Sequence, residues 1–309
     1  MKNYLLKALA YDKQVRIYVV RCDNVLNNLA KRLNYYPSAL AAVGRVMAFT
    51  AMMGGMLKLE ETVTVKVDGD GPIGLIMAES DAHGHIRAYA SNPHCHFEYN
   101  SANKLNVRET VGHTGLINVI KDLKLKEPFI GSVPIIDGEL AKDFAYYLMI
   151  SEQVPSVVSL GVLVNTNNLA KSAGGFIIQL LPNTKEEVIE AIEKKLNTLP
   201  TVSEMFQNDM TLEQIGKMLA DDTFEVVETT PVRFRCTCSK SRFSKGIISL
   251  GKEEIQDMID KDHGANTVCH FCGKNYEFTE EELLKIGMTG VRLNLSHCNL
   301  NDRKEWIDS

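Results

Sequence analysis

No apolar run in this chain is long enough to cross a bilayer. The longest, Val46 to Leu57, spans twelve residues, whereas a membrane helix needs about 20, so a buried helix is expected there. The N-terminus meets Lys7, Asp12 and Lys13 too early to supply the apolar stretch of a secretory leader. Walker A, Rossmann glycine and nucleophile-elbow signatures are missing, and no repeat or low-complexity tract stands out. An excess of positive charge is missing too: the net charge of -5 repels phosphate backbones, which weakens a nucleic-acid reading without removing it. Seven cysteines, an odd number without an export signal, argue against a secreted disulfide framework. Reduced thiols or metal ligands in a cytoplasmic protein are expected instead, with no membrane partner.

At 309 residues, 45% apolar and 24% charged, the chain has an ordinary globular composition. It exceeds the size of about 250 residues at which single cores stop growing, so two or three domains are expected. Residues 1–181 read as an α+β core. Val15, Ile17 and Val19 alternate on one half-buried strand, and Val63, Val65 and Val67 on another. Pro37 to Leu57 reads as a helix with Ser38 as N-cap, and Asp68 to Pro72 as a turn. Further strands are expected at Leu75 to Ala78, His85 to Ala90, Val157 to Val164 and Gly175 to Leu181, with a helix around Leu140 to Ser151. Residues 182–231 read as a helical linker. Val188, Ile192 and Leu196 stripe one helix, stopped by Pro200; Leu212, Ile215 and Leu219 stripe a second beginning at Thr211. Thr229 to Pro231 is expected to break the chain. The linker's stripes are too sparse for a core of their own and must rest on something else. Residues 232–287 form a small third unit, with Phe243, Ile247 and Leu250 on one helical face, Ile255, Met258 and Ile259 on another, and Gly264 as a helix stop. Residues 288–309 are a tail of unknown role.

That third unit is too small to be stable without a staple. Cys236 and Cys238 form a C-x-C, and Cys269 and Cys272 a C-x-x-C after thirty intervening residues. Four thiolates in this pattern make a closed tetrahedral zinc site, one Zn²⁺ per chain, with no position left for substrate. Each pair is also close enough in sequence to form an internal disulfide, so the site could be a redox switch. Spacing alone favours the inert scaffold. Arg233, Arg235, Lys240, Arg242 and Lys245 surround the first pair. They suit the charge of a zinc tetrathiolate better than phosphate, because acids from Glu253 to Asp262 return the unit to neutrality. A zinc-ribbon nucleic-acid or ribosome-associated protein remains the alternative.

Other candidates are weaker. His83, His85, His94 and His96 form two H-x-H pairs that, with Cys95, could build a second metal site of a metalloenzyme; exposed loop-end histidines are the simpler reading. Asp68, Asp70 and Glu79 resemble a calcium loop, but Pro72 and Ile73 occupy positions that need a ligand and a glycine. Cys22 and Cys298 have no close partner in sequence.

Taken together, the segments Val232-Arg-Phe-Arg-Cys-Thr-Cys-Ser-Lys-Ser-Arg242 and Val268-Cys-His-Phe-Cys-Gly-Lys-Asn-Tyr-Glu-Phe278 resemble the 33 kDa heat-shock chaperonin family. Gly69-Asp-Gly-Pro72, Tyr147 to Val164 and Gly174 to Pro182 extend the resemblance over residues 3 to 286. The resemblance implies a redox-regulated, ATP-independent holdase of the bacterial cytoplasm and not an enzyme. It implies Cys236, Cys238, Cys269 and Cys272 as zinc ligands of a reduced, inactive form. It further implies that oxidation forms the disulfides Cys236–Cys238 and Cys269–Cys272, releases zinc and unfolds the C-terminal region, so that unfolding client proteins bind and the chain dimerises. This reverses the preference for an inert scaffold. The tail with His297, Cys298 and Trp306 departs from the family pattern.

Overall fold

The alternation of Val63, Val65 and Val67 sends all three to the buried side of one strand, as the period of two requires. In the computed structural model, which describes residues 2–99 and 104–287, the chain divides into two compact units, Met1–Arg235 and Cys236–Ser309. The tail, with His297, Cys298 and Trp306, lies outside the described residues.

In chain order the first unit contains β1 (Tyr4–Ala10), β2 (Val15–Arg21), α1 (Asp23–Leu33), α2 (Pro37–Gly54), β3 (Thr62–Gly69), β4 (Leu75–Asp81), β5 (His85–Ala90) and α3 (Val107–Val111). It continues with β6 (Gly115–Asp122), β7 (Phe129–Pro134), α4 (Ala141–Ile150), β8 (Ser156–Val164) and β9 (Ala170–Leu180). Then follow α5 (Glu186–Leu196), α6 (Val202–Gln207), α7 (Leu212–Ala220), β10 (Glu225–Pro231) and β11 (Arg233–Phe234). The strands form a five-stranded sheet in the order β10-β1-β2-β9-β8 and a six-stranded sheet in the order β11-β5-β4-β3-β6-β7. All pairs are antiparallel except β11 with β5. With the small second unit, this is an α+β architecture.

Helix α2 is apolar all round and lies between the sheets, touching β2, β8 and β9 on one side and β3, β4 and β5 on the other. Every residue of it except Pro37 and Arg45 is buried. Pro37 occupies the first helical position, where its fixed φ and missing N–H cost nothing, so Tyr36 and not Ser38 is the cap residue. The Ser38 hydroxyl instead contacts the Cys95 carbonyl at 3.4 Å and His96 Nδ1 at 3.3 Å. The Asp68 to Pro72 turn is held by Asp70, whose carboxylate accepts from the His113 and Thr114 backbone N–H groups and the Thr114 hydroxyl. Those bonds hold it below the usual carboxylate range.

Strand β2 departs from the half-buried expectation, since both its faces are covered. Tyr18 and Val20 face the α2 cluster, while Val15, Ile17 and Val19 face a second cluster built with the 182–231 segment. The stripes Val188, Ile192, Leu196 and Leu212, Ile215, Leu219 rest there with Leu6, Phe176 and Ile178. Thr201 and Thr211 start α6 and α7 through reciprocal capping boxes with Glu204 and Gln214. Helix α5 ends at Leu196 with Asn197 as its cap residue, ahead of Pro200. Thr229 to Pro231 do not break the chain, because β10 runs through them as the strand added beside β1.

Tyr4 Oη donates to Glu213 Oε2 at 2.8 Å and ties α7 to β1. Burial pushes the Tyr4 hydroxyl up to about 12, with the hydrogen bond to Glu213 adding to it. Burial also raises Glu213, but its own backbone N–H, Tyr4 and Thr211 outweigh that and leave the carboxyl below its usual value. A depressed folded value stabilises above the unfolded Glu value of about 4.3 and is lost as pH falls through the folded one. The urea midpoint of the first unit should therefore drop as pH falls through and below about 4.3, and drop less in Tyr4→Phe.

Candidate metal centre

The second unit holds α8 (Lys240–Leu250), α9 (Lys252–Asp260), β12 (Gly264–Val268), β13 (Asn275–Thr279) and a helix over residues 280–287. Its core is small: Ile247, Ile255, Tyr276, Phe278 and Leu283 are buried, with Phe243, Met258 and Ile259 packed around them. Leu250 does not join the expected face and is 54% exposed. It ends α8, where Gly251 with φ +99° turns the chain into α9. Helix α9 stops at Asp260, and Gly264 opens β12 instead of ending the helix.

Each cysteine pair is placed by a local device. Cys236 and Cys238 lie in the extended segment before α8, whose first turn is capped by Ser239 Oγ accepting from the Arg242 N–H. Cys269 and Cys272 sit on the turn between β12 and β13. There the Cys272 and Gly273 N–H groups point to the Cys269 carbonyl at 3.3 and 2.8 Å, and the Cys269 N–H to the Lys274 carbonyl at 2.9 Å. Gly273 closes that turn with φ +70°, a conformation that favours glycine.

All four sulfurs lie within 4.8 Å of one another. Cys236 and Cys269 are 3.7 Å apart, and Cys238 and Cys272 3.4 Å. A tetrahedral site with Zn–S bonds of about 2.3 Å has sulfur separations of about 3.8 Å, so the donor set suits a metal ion of this class. Cys269 and Cys272 are buried, while Cys236 and Cys238 are half-buried.

The thiols are not equivalent. Burial raises Cys238, but the Tyr276 hydroxyl at 3.2 Å and hydrogen bonds from the other three thiols outweigh it and bring Cys238 down to about 7. Burial pushes Cys272 up to about 12 and also raises Cys269. The hydrogen bond to Cys238, followed by burial, lifts Tyr276 to about 12. Tyr276 is the functional residue that sequence reasoning missed. Its signal was the alternation of Tyr276 and Phe278 on the strand after the second pair, which sends both to the buried face. Two of the cations expected to balance the sulfurs bond other groups: Lys240 pairs with Glu282 at 2.5 Å, and Arg242 Nη1 donates at 2.6 Å to Oγ1 of Thr237, the residue between Cys236 and Cys238.

The other candidates sit in the first unit. His85 Nδ1 lies 2.9 Å from Asp81 Oδ2, His83 lies 3.8 Å from Glu60, and His94 packs on the Tyr36 ring. Among the described residues, the cysteine quartet is the group of three or more such side chains whose ligand atoms gather. Cys22 and Cys95 are buried, which raises both thiols, Cys95 to about 11. No helix of the described residues is long and apolar enough to cross a membrane.

Comparison with known proteins places this arrangement in context. A family model described as "Hsp33 protein" matches residues 3–279. The 33 kDa chaperonin of Bacillus velezensis is 51% identical over 284 residues, covering 92% of this chain and 98% of that protein. The 33 kDa chaperonin of Bacillus subtilis is 50% identical over 281 residues, covering 91% and 97%. The crystal structure of the 33 kDa chaperonin, a heat shock protein 33 homolog, from Thermotoga maritima superposes with a TM-score of 0.88 at 32% identity, covering 94% of this chain and 100% of that one.

Proposed function

This chain belongs to the Hsp33 protein family, and from that membership we propose that it is a redox-regulated, ATP-independent holdase of the bacterial cytoplasm. The family supports a chaperone function, and with it the binding of unfolded client proteins. The observation that carries the redox part is the quartet itself. It holds four sulfurs within 4.8 Å, and the half-buried Cys238 is brought down to about 7. Cys236, Cys238, Cys269 and Cys272 would hold one zinc ion. When bound, zinc supplies a tetrahedral cross-link and stabilises the sulfurs as thiolates.

A peroxide is the oxidant. The Cys238 thiolate attacks one peroxide oxygen, forming S–O as O–O breaks and hydroxide leaves, and the product is a sulfenic acid. Cys236 then attacks that sulfur, forming S–S as the S–O bond breaks and a second hydroxide departs and takes up a proton. Two thiols lose two electrons and one peroxide becomes two waters. The same sequence joins Cys269 to Cys272. Disulfide sulfurs are poor donors, so the oxidised chain has lost its ligand set and releases zinc.

The core of Ile247, Ile255, Tyr276, Phe278 and Leu283 cannot hold the second unit without that staple. Its first residue, Cys236, continues directly from β11, and β10 before that is an edge strand with nearly every side chain exposed. Unfolding from Cys236 onward therefore reaches an exposed edge strand of the five-stranded sheet. Behind it, α5 buries only Ile192. Release of α5 to α7 would uncover Leu6, Val15, Ile17, Val19, Phe176 and Ile178, an apolar surface for unfolding clients. The oxidised chain is further proposed to dimerise.

A peroxide titration tests the reading. Four thiols should disappear with one zinc released per chain, and aggregation of a chemically unfolded client, followed by light scattering, should be suppressed only afterwards. Equal suppression before and after oxidation would sink the switch.

A further inference from the structure

Edge strands expose backbone N–H and C=O groups to any extended chain, and proteins ordinarily guard them with brevity, charge, bulges, proline or cover. Three of the four edges in the first unit's sheets are guarded. Strand β11 has two residues. Strand β10 carries Glu225, Glu228 and a register shift opposite Lys7 and Ala8. Strand β8 is covered on both faces, by α2 on one and by α6 on the other, where a Cβ on Gly161 would come within 2.9 Å of the Ser203 nitrogen.

Strand β7 is different. Its sequence, Phe-Ile-Gly-Ser-Val-Pro, carries no charge, and it pairs with β6 in unbroken register from Phe129 opposite Lys121 to Pro134 opposite Leu116. No other described strand pairs with it. Helix α4 lies on its inner side, where a Cβ on Gly131 would meet Tyr147 and Ser151. On the other side Ile130 is 60% exposed, opposite Ile120, and Leu116, opposite Pro134, is also exposed; Phe129 is exposed at the start of the α4 side. The nearby charges balance in sign: Lys121 pairs with Glu152 at 2.5 Å and Lys124 with Asp122 at 2.7 Å, and the exposed Lys126 and Glu127 precede the strand as neighbours of opposite charge.

We propose that β7 is a docking edge for an extended, apolar, uncharged segment of an unfolding polypeptide, added as a further strand to the six-stranded sheet. The inference rests on the client binding proposed above. An edge backbone recognises extended main chain, and the exposed Ile130 beside it favours an apolar residue. With the nearby charges balanced in sign, no net charge favours a charged segment. Unfolding chains present such strands, whereas a folded partner keeps its strands paired.

The test is hydrogen exchange of the full chain, before and after peroxide treatment, with reduced carboxymethylated α-lactalbumin as a permanently unfolded probe. Bound probe should slow exchange over residues 129–134 about tenfold or more and leave 225–231 unchanged. Ile130→Lys should weaken probe binding about tenfold, while Val226→Lys on the guarded edge does not. Bound probe with unaltered exchange in β7 overturns the assignment, as does protection that grows with chain concentration in the absence of probe, which would give the edge to a second copy. Oxidation-gated binding without β7 protection fails the edge alone. Binding in both redox states with β7 protected fails the gate alone, and no binding in either state fails both.

Discussion

Replacing Cys269 with serine is expected to unfold the second unit and leave the first intact. A serine hydroxyl stays protonated at neutral pH and is a hard donor, so three soft ligands remain of four. Structural zinc sites contribute about 10–16 kcal/mol of apparent binding free energy, most of it folding energy. The buried core of Ile247, Ile255, Tyr276, Phe278 and Leu283 is far too small to replace that. Metal content should fall from one ion per chain towards zero, and the amides of β12 and β13 should exchange at rates close to those of an unfolded chain. Cys95→Ser, in the first unit, should alter neither. If opening of the second unit is what exposes client surface, Cys269→Ser should suppress client aggregation without peroxide. A variant that keeps its metal and its β12 to β13 protection would remove Cys269 from the ligand set.

The second large effect lies far from the sulfurs. Asp143, fully buried in the first turn of α4, accepts four backbone hydrogen bonds. Oδ1 takes the N–H groups of Ile136 at 2.7 Å and Asp137 at 2.8 Å, and Oδ2 those of Gly138 at 3.0 Å and Leu140 at 2.9 Å. One carboxylate thus organises the whole connection from β7 to α4, including Leu140 at φ +74°. Asp143→Ala would orphan four donors, those of Gly138 and Leu140 in buried surroundings. Hydrogen bonds to a charged group are worth about 1.5–3 kcal/mol each and are not additive, so a loss of about 4 kcal/mol is expected. That is a large part of the 5–15 kcal/mol typical of a domain. Asp143→Asn separates charge from volume: it keeps one acceptor and turns an NH₂ towards two N–H groups, so it should also be destabilising despite its equal size. The denaturant midpoint of the first unit reads both variants, and a shift within error of zero for Asp143→Ala would refute the account.

Local pattern carried much of the architecture. The alternation in β3, the apolar run of α2, the stripes of α5 and α7 and the turn at Asp70 all follow from periods and turn chemistry confined to a few residues. Strands β1, β6, β7 and β10 were not legible in that way. Glu225 to Pro231 reads as a polar stretch ending in a break, and it becomes a strand only because β1, some 220 residues earlier, offers it a partner. The burial of both faces of β2 was hidden for the same reason, since nothing near Ile17 announces that α7 will pack on that strand.

By itself the sequence determined the cysteine quartet, the need of a small unit for a staple, the α+β composition and the family resemblance, because each depends on residue type and spacing alone. Only the tertiary structure decided where the linker rests, that Tyr276 donates to Cys238, that Asp143 gathers four N–H groups, and that β7 is the unguarded edge. Those depend on which distant segments meet, and hydrogen bonds and burial of that kind exist only once the chain has closed on itself.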